Sequence, residues 1–303
     1  GRGGAPPGAP PTAPDGLAAL AGDDGTWDAV VDTWSAAPRA VLEAARLLRG
    51  RAERYVYISS RSVYAWPWPP GAGEDAPLVE GAAADAGATE YAKDKRGGEL
   101  AAVEAFGTED SLLVRAGLIL GPYENVGRLP WWLNRIARGG PVLAPGPQDL
   151  PLQYVDVRDL ADWVVGAVER ESNGPYNLVS PPGHTTMGEL LRACVHATGA
   201  DADLRWTDPE VILDAGIEPW TQLPVWVPPD GELSCVHRAD VSRALATGLE
   251  CRPVGETVAD TWRWLTEIGG TAPQRPDRTA KGLDPEVEAK VLAGGGGVPD
   301  TTP

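Results

Sequence analysis

The sequence predicts an α/β fold built around a parallel β-sheet. Short apolar runs over residues 27–33, 54–60 and 112–117 are typical of strands that are buried on both faces. Helical patterns over residues 38–48 and 90–106 separate these runs. Strands that alternate with helices in this way favour a doubly wound sheet with helices on both faces.

Length, charge and cysteine content limit the classes of protein to consider. The 303 residues can bury a full core, either as one large domain or as two lobes. A net charge of -17 argues against a surface that follows phosphates, so nucleic acid is not an expected partner. The three cysteines are widely spaced, which predicts reduced thiols and no metal site.

The distribution of apolar residues in the sequence predicts neither a membrane span nor a secretory signal. No run of 18 apolar residues appears, so we expect no membrane-spanning segment and no membrane partner. The first residues contain no apolar stretch typical of a secretory signal. A cytoplasmic location is the resulting expectation.

Tyr91 and Lys95 form the most suggestive pair of side chains. They are four residues apart, and on a helix that spacing puts both on one face, about one turn apart. A lysine ammonium there stabilises a tyrosinate, and a tyrosine so tuned can exchange a proton with a substrate oxygen. The alternative is a surface pair on a solvated helix.

Ser60 ends the apolar run over residues 54–60. A hydroxyl at the carboxyl end of a parallel strand lies where open α/β sheets bind their ligands. Ser60 is therefore expected to lie at the same edge of the sheet as the ligand, together with the pair of Tyr91 and Lys95.

The order of these motifs resembles a known family. Residues 57–64 read Tyr-Ile-Ser-Ser-Arg-Ser-Val-Tyr, the Tyr-x-x-x-Lys pair follows, and residues 115–122 read Arg-Ala-Gly-Leu-Ile-Leu-Gly-Pro. This order resembles the extended short-chain dehydrogenase/reductases, the NAD-dependent epimerase/dehydratase family, over about residues 27–265. The resemblance implies a Rossmann-like sheet with a small, discontinuous C-terminal substrate lobe.

The resemblance also implies roles for individual residues. Ser60 would bind the substrate carbonyl or hydroxyl, Tyr91 would be the acid/base, and Lys95 would hold the nicotinamide ribose. The cofactor would be NADP or NAD, and the partners a small-molecule substrate and a second copy of the chain in a homodimer. The residues implied in cofactor binding are Thr33, Ser59, Tyr91, Lys95, Arg115 and Gly117.

One feature of the family is missing from the sequence. Dinucleotide-binding folds take the pyrophosphate on a glycine-rich turn between a strand and a helix, and no such turn exists in this chain. We therefore expect a sheet that lacks its first strands. Two interpretations follow: an enzyme whose first βαβ portion is not in this sequence, or a catalytically inactive binding or interaction module.

The predicted reaction is a hydride transfer on a small hydroxyl or keto substrate. Family dehydratases carry Asp-Glu after the active hydroxyl residue, whereas Arg61 and Ser62 follow Ser60 here. This departure argues against a dehydratase. An oxidoreductase is preferred, and a sugar-nucleotide epimerase is the alternative.

The predicted organisation has four parts. They are a disordered Pro/Gly arm over residues 1–16, a Rossmann-like core with the catalytic helix over residues 17–180, a region over residues 181–268 that is mainly substrate lobe, and a tail over residues 269–303 with one short helix. Within the tail, residues 294–303 are expected to be disordered. Asp159 is expected to cap a helix to about residue 170.

Overall fold

The computed structural model describes residue 17, residues 21–22, residues 25–295 and residues 297–300. The arm expected over residues 1–16 lies outside this described part. In what is described, strands and helices alternate along the first half of the chain, as the sequence predicts.

The bounds of the elements are as follows. The strands are β1 (Trp27–Asp32), β2 (Ala52–Ser60), β3 (Ser111–Ala116), β4 (Ile119–Leu120), β5 (Gly140–Pro145), β6 (Pro151–Leu152), β7 (Val155–Asp156), β8 (Gly174–Leu178), β9 (Thr185–Thr186), β10 (Ala202–Thr207) and β11 (Val298–Pro299). The helices are α1 (Pro38–Leu48), α2 (Tyr91–Phe106), α3 (Arg128–Ala137), α4 (Val157–Glu169), α5 (Met187–Thr198), α6 (Pro209–Asp214), α7 (Ser242–Ala246), α8 (Val254–Glu267) and α9 (Pro285–Ala293). Two 3-10 turns cover Arg61–Val63 and Glu232–His237.

The largest sheet has four strands in the order β1-β2-β3-β8. β1 and β2 pair in parallel, with Trp27 opposite Ala52 and Asp32 opposite Tyr57. The carboxyl ends of these two strands therefore lie at the same edge. The predicted α/β fold with a parallel sheet and flanking helices is confirmed.

The chain divides into two compact units. The described residues of the first unit fall within Gly1–Ala65, Pro77–Arg115 and Glu171–Pro175, and those of the second within Trp66–Ala76, Ala116–Arg170 and Tyr176–Pro303. The part boundaries inferred from the sequence stay predictions.

In the first unit, α1 and α2 pack with β2. α1 begins at Pro38, which is favourable at the first position of a helix, and its buried face consists of Val41, Leu42, Ala45 and Leu48. Gly98 of α2 lies directly over Tyr57, because a Cβ atom at Gly98 would lie 2.4 Å from the hydroxyl oxygen of Tyr57. The absence of a side chain at Gly98 therefore lets α2 approach β2 closely.

The second unit has its own core around α3, α5 and α8. A buried ion pair between Arg135 and Glu288 (2.6 Å) joins α3 to α9. The carboxylate of Glu288 also accepts a hydrogen bond from the backbone N–H of Leu143 in β5. This carboxylate therefore fixes the last helix against both α3 and β5.

Two local predictions in the second unit are wrong. Asp156, not Asp159, caps α4 by accepting a hydrogen bond from the N–H of Arg158. Asp159 instead accepts from the backbone and the guanidinium of Arg252. Residues 297–300 of the tail are also ordered, since β11 pairs antiparallel with β10 and Asp300 pairs with Arg192.

Candidate active site

Helix α2 carries the predicted Tyr91 and Lys95 and begins at Tyr91 itself. The side chain of Asp94, in the first turn, reaches back and accepts hydrogen bonds from the N–H and the hydroxyl of Thr89. This contact satisfies a backbone donor at the helix start and fixes where the helix begins. Tyr91 is consequently the first helical residue, and it is half-buried.

Lys95 is almost fully buried, with an exposed fraction of 3%. Its Nζ donates to the carbonyl oxygens of Ile58 (2.7 Å) and Trp34 (2.8 Å), and it lies 4.8 Å from the centre of the Tyr57 ring. A buried ammonium requires such acceptors, since desolvation without them is costly. Lys95 therefore holds the end of β2 and the segment after β1 together.

Two buried tyrosines of β2 support the same edge of the sheet. The hydroxyl of Tyr57 donates to the carbonyl oxygen of Trp34 (3.1 Å), and the hydroxyl of Tyr55 donates to Asp32 Oδ2 (2.6 Å). Burial, and then the negative charge of Asp32, raises the pKa of both tyrosines far above the ordinary value. Both hydroxyls therefore keep their protons and act as fixed donors.

Ser60 is the last residue of β2 and the cap of the 3-10 turn Arg61–Val63. Its Oγ accepts a hydrogen bond from the backbone N–H of Ser62 (3.1 Å) and donates to the hydroxyl of Ser62 (3.2 Å). The turn therefore places the Ser60 hydroxyl at the carboxyl end of β2, as expected.

Glu99 of α2 is fully buried among hydrogen-bond donors. Its carboxylate accepts from the hydroxyl of Ser59 (2.7 Å), from Nε of Arg115 (2.9 Å) and from Nη1 of Arg96 (2.8 Å). Nη1 of Arg115 also donates to the hydroxyl of Tyr64 (3.1 Å). Burial lowers the pKa of Arg115, but the hydrogen bonds and charge of Glu99 outweigh it, so the net shift of this pKa is upward.

Six of the seven residues predicted for the site lie in the first unit, namely Thr33, Ser59, Ser60, Tyr91, Lys95 and Arg115. Thr33 is exposed and directly follows β1, whereas Ser59 and Arg115 are buried against Glu99. Gly117 belongs to the second unit. The catalytic and cofactor-binding roles of all seven stay predictions.

Three groups hold the predicted site in place but were not predicted from the sequence. They are Tyr57, Glu99 and the carbonyl of Trp34. Glu99 had a detectable signal, because it follows Lys95 by four residues and so continues the face of Tyr91 and Lys95 along α2. The carbonyl of Trp34 had no signal, since any residue type supplies a backbone oxygen.

Residues 25–295 and the other described positions contain no group of three or more His, Cys, Asp or Glu side chains arranged to hold a metal ion. Among the helices described, none is both long and apolar enough to cross a membrane.

Solved structures with the same fold include several epimerases. The UDP-N-acetylglucosamine 4-epimerase from Methanobrevibacter ruminantium M1, solved with UDP-N-acetylmuramic acid, is 15% identical, with a TM-score of 0.57 over 84% of this chain and 80% of that chain. A putative epimerase from Burkholderia cenocepacia J2315 is 18% identical, with a TM-score of 0.56 over 83% and 78%. The enzyme WbmH from Bordetella bronchiseptica, solved with NAD+, is 20% identical, with a TM-score of 0.54 over 80% and 76%.

These identities establish a shared fold, and the sequence itself establishes the family. A comparison with curated proteins finds no match. The sequence profile of the NAD dependent epimerase/dehydratase family matches residues 14–179, which is more than half of the 303 residues. The resemblance inferred from the motifs is confirmed: the chain belongs to the NAD dependent epimerase/dehydratase family.

Proposed function

We propose that this chain is a nicotinamide-dependent oxidoreductase in which Tyr91 exchanges a proton with the substrate oxygen. The observation that carries the proposal is the position of the Lys95 ammonium. It is buried one helical turn after Tyr91 and bound to the carbonyl of Ile58, at the carboxyl end of a parallel strand. In the proposal, this fixed cation stabilises the negative charge that develops during proton transfer between Tyr91 and the substrate oxygen.

Three side chains have defined tasks in this proposal. Ser60, whose hydroxyl donates to Ser62 in the structure, turns its proton to the substrate oxygen at the end of β2. Tyr91 gives a proton to that oxygen during reduction and takes it back during oxidation. Lys95 supplies positive charge beside Tyr91 and holds the ribose of the nucleotide.

The donors and acceptors at this edge fit the ribose of a nicotinamide nucleotide. Ribose hydroxyls accept hydrogen bonds from an ammonium and donate to a phenol oxygen, and Lys95 and Tyr91 supply these two groups. The bound nicotinamide supplies the hydride chemistry. Direct contacts of Thr33, Ser59, Arg115 and Gly117 with the cofactor belong to the same proposal, as does the use of either NAD or NADP.

The preferred substrate is a small hydroxyl or keto compound, and a sugar nucleotide is the second candidate. The second candidate is favoured by structures of similar fold, one of which was solved with UDP-N-acetylmuramic acid. The two functions differ in their net consumption of reduced nucleotide. A reductase consumes one reduced nucleotide per product, whereas an epimerase returns the hydride to its own substrate and consumes none.

The experiment begins with titration of the purified chain with NADH and NADPH. Energy transfer from the twelve tryptophans to the reduced nicotinamide reports binding. We expect saturable transfer at micromolar cofactor, followed by oxidation of the nucleotide with members of a panel of aldehydes and ketones. Interconversion of sugar nucleotides without net oxidation would establish the epimerase instead.

One result would contradict both catalytic functions. A chain that circular dichroism shows to be folded, but that gives no energy transfer with either nucleotide, would be the inactive binding module. The homodimer expected from the resemblance is a separate part of the proposal. Sedimentation equilibrium of the same sample tests it, and a monomer at all concentrations would contradict it.

A further inference from the structure

Helix α2 presents three functional groups along one face. Tyr91, Lys95 and Glu99 are separated by four residues each, so they succeed one another by about one helical turn. Only Tyr91 and Lys95 have a task in the proposed reaction. Glu99 is fully buried and needs a separate explanation.

The contacts of α2 with β2 follow the strand residue by residue. Lys95 donates to the carbonyl of Ile58, and Glu99 accepts from the hydroxyl of Ser59, the next residue of the strand. The residue after that is Ser60. Two successive turns of the helix are therefore bonded to two successive residues of the strand, directly before the predicted substrate-binding hydroxyl.

Glu99 also joins α2 to β3. Nε and Nη2 of Arg115 lie 2.9 and 3.1 Å from the two carboxylate oxygens of Glu99, which is a bidentate pair. Such a fork fixes orientation as well as distance. The carboxylate is thus held from two strands of the sheet at once, by Ser59 of β2 and by Arg115 of β3.

Stability alone does not account for a buried pair of this kind. The desolvation of two charges offsets most of their attraction, and apolar residues of similar volume often serve stability equally well. Directional hydrogen bonds define the register of the helix along the strand, and apolar packing does not. The register of α2 on β2 sets the separation between Tyr91 and Ser60.

We propose that Glu99 is a positioning residue, which fixes Tyr91 relative to Ser60 through Ser59 and Arg115. This inference rests on the proposed function of Tyr91 and Ser60 as the groups that contact the substrate oxygen. In this assignment Ser59 and Arg115 act through Glu99, in place of the direct cofactor contacts proposed for them above. Loss of the contact moves Tyr91 away from the productive geometry while the nucleotide-binding groups remain.

The main test compares Glu99→Gln with Glu288→Gln. The glutamine keeps the volume, but its amide group places N–H donors against the donors of Arg115. Glu288 is a matched control, because it forms a buried pair with Arg135 in the second unit. We expect Glu99→Gln to lower kcat about tenfold to a hundredfold with KM for the nucleotide nearly unchanged. We expect Glu288→Gln to leave both constants at the wild-type values.

A second readout does not depend on activity. A 3-fluorotyrosine placed at position 91 gives a fluorine resonance that reports the surroundings of this side chain. We expect Glu99→Gln to shift or broaden this resonance, and Glu288→Gln to leave it unchanged. If the unmodified chain transfers no hydride, the proposed function fails, whereas the fluorine spectra still decide whether Glu99 positions Tyr91.

Ser59→Ala provides a milder variant if Glu99→Gln does not fold. It removes one donor to the carboxylate and leaves the pair of Glu99 with Arg115 in place. We expect a smaller change of the same fluorine resonance and a loss of kcat of a few-fold. Folded Glu99→Gln or Ser59→Ala with the wild-type kcat and the wild-type fluorine spectrum would overturn the inference.

Discussion

Nζ of Lys95 lies 2.7 Å from the carbonyl oxygen of Ile58, two residues before Ser60 in the same strand. The same ammonium lies 2.8 Å from the carbonyl oxygen of Trp34, which follows the end of β1. One side chain of α2 therefore binds the carboxyl ends of two adjacent strands. The same contact therefore fixes both the helix and the strand end that carries Ser60.

Replacement of Lys95 by methionine removes the donor for both carbonyl oxygens. Because buried acceptors without a donor are costly, we expect the free energy of unfolding to fall by about 1–3 kcal/mol. Affinity for NADH should fall as well. Urea unfolding and the nucleotide titration measure the two effects.

Lys93→Met is the control for that variant. Lys93 is exposed on the same helix and pairs across the surface with Glu90 (3.3 Å). We expect its unfolding free energy to stay within about 0.5 kcal/mol of the wild-type value. Equal stability and equal NADH affinity of the Lys95 and Lys93 variants would refute the structural and binding roles of Lys95.

Tyr91→Phe removes the phenol oxygen and leaves the ring. Since a positioned acid/base contributes about a hundredfold to ten thousandfold, we expect kcat to fall by that factor. Cofactor affinity should fall only a few-fold, because one ribose contact is lost while the contacts of Lys95 are unchanged. Steady-state kinetics and the nucleotide titration on one preparation measure both, and wild-type turnover in the variant would remove Tyr91 from the mechanism.

Gly98→Ala tests how closely α2 approaches the sheet. Its Cβ atom would lie 2.4 Å from the hydroxyl oxygen and 2.5 Å from Cζ of Tyr57, a buried ring whose hydroxyl is bonded to Trp34. Alanine favours the helix by about 1 kcal/mol, but the overlap forces the ring or the helix to move. We expect a net loss of stability and a lower Tm.

The glycine at position 255 offers the matched control. It lies in the first turn of α8, and a Cβ atom there would meet nothing within 4 Å. Gly255→Ala should therefore keep or raise Tm, by the equivalent of at most about 1 kcal/mol. A higher Tm for Gly98→Ala than for Gly255→Ala would contradict the close approach of Gly98 to Tyr57.

The features that the sequence predicted correctly depend on nearby residues. Pro38 opens α1 at the start of the helical pattern expected over residues 38–48, and Tyr91 and Lys95 lie one turn apart on α2. In each case the residues that determine the structure lie within one helical turn. The ordered motifs around Ser60 and Tyr91 likewise sufficed for the family and for the α/β fold.

The features that the sequence analysis missed depend on partners far along the chain. Asp156 and Asp159 are equally plausible caps for α4, and the choice is made by Arg252, which binds Asp159 across 93 positions. Lys95 finds Trp34 across 61 positions and Ile58 across 37. Backbone carbonyls leave no mark in a sequence, so these contacts of the candidate site required the structure.

The two buried tyrosines of β2 predict how the first unit responds to alkali. Burial first, and the charge of Asp32 second, raises the pKa of Tyr55 and Tyr57 far above the ordinary value of 10.0. Below about pH 10 both states of the protein keep these protons, so the stabilisation is fully present. Above about pH 10 only the unfolded state releases them, and the free energy of unfolding falls by up to about 1.36 kcal/mol per pH unit for each tyrosine.

The ultraviolet absorbance of tyrosinate and urea unfolding at a series of alkaline pH values test this response. We expect at least two of the seven tyrosines to ionise only as the chain unfolds. Tyr55→Phe should lower stability at neutral pH, because it leaves Asp32 without its 2.6 Å donor. In the same variant the free energy of unfolding should fall less steeply with pH in alkali, because one of the two buried tyrosines is absent. Ionisation of all seven tyrosines in a chain that remains folded would show that Tyr55 and Tyr57 do not hold their protons as the geometry requires.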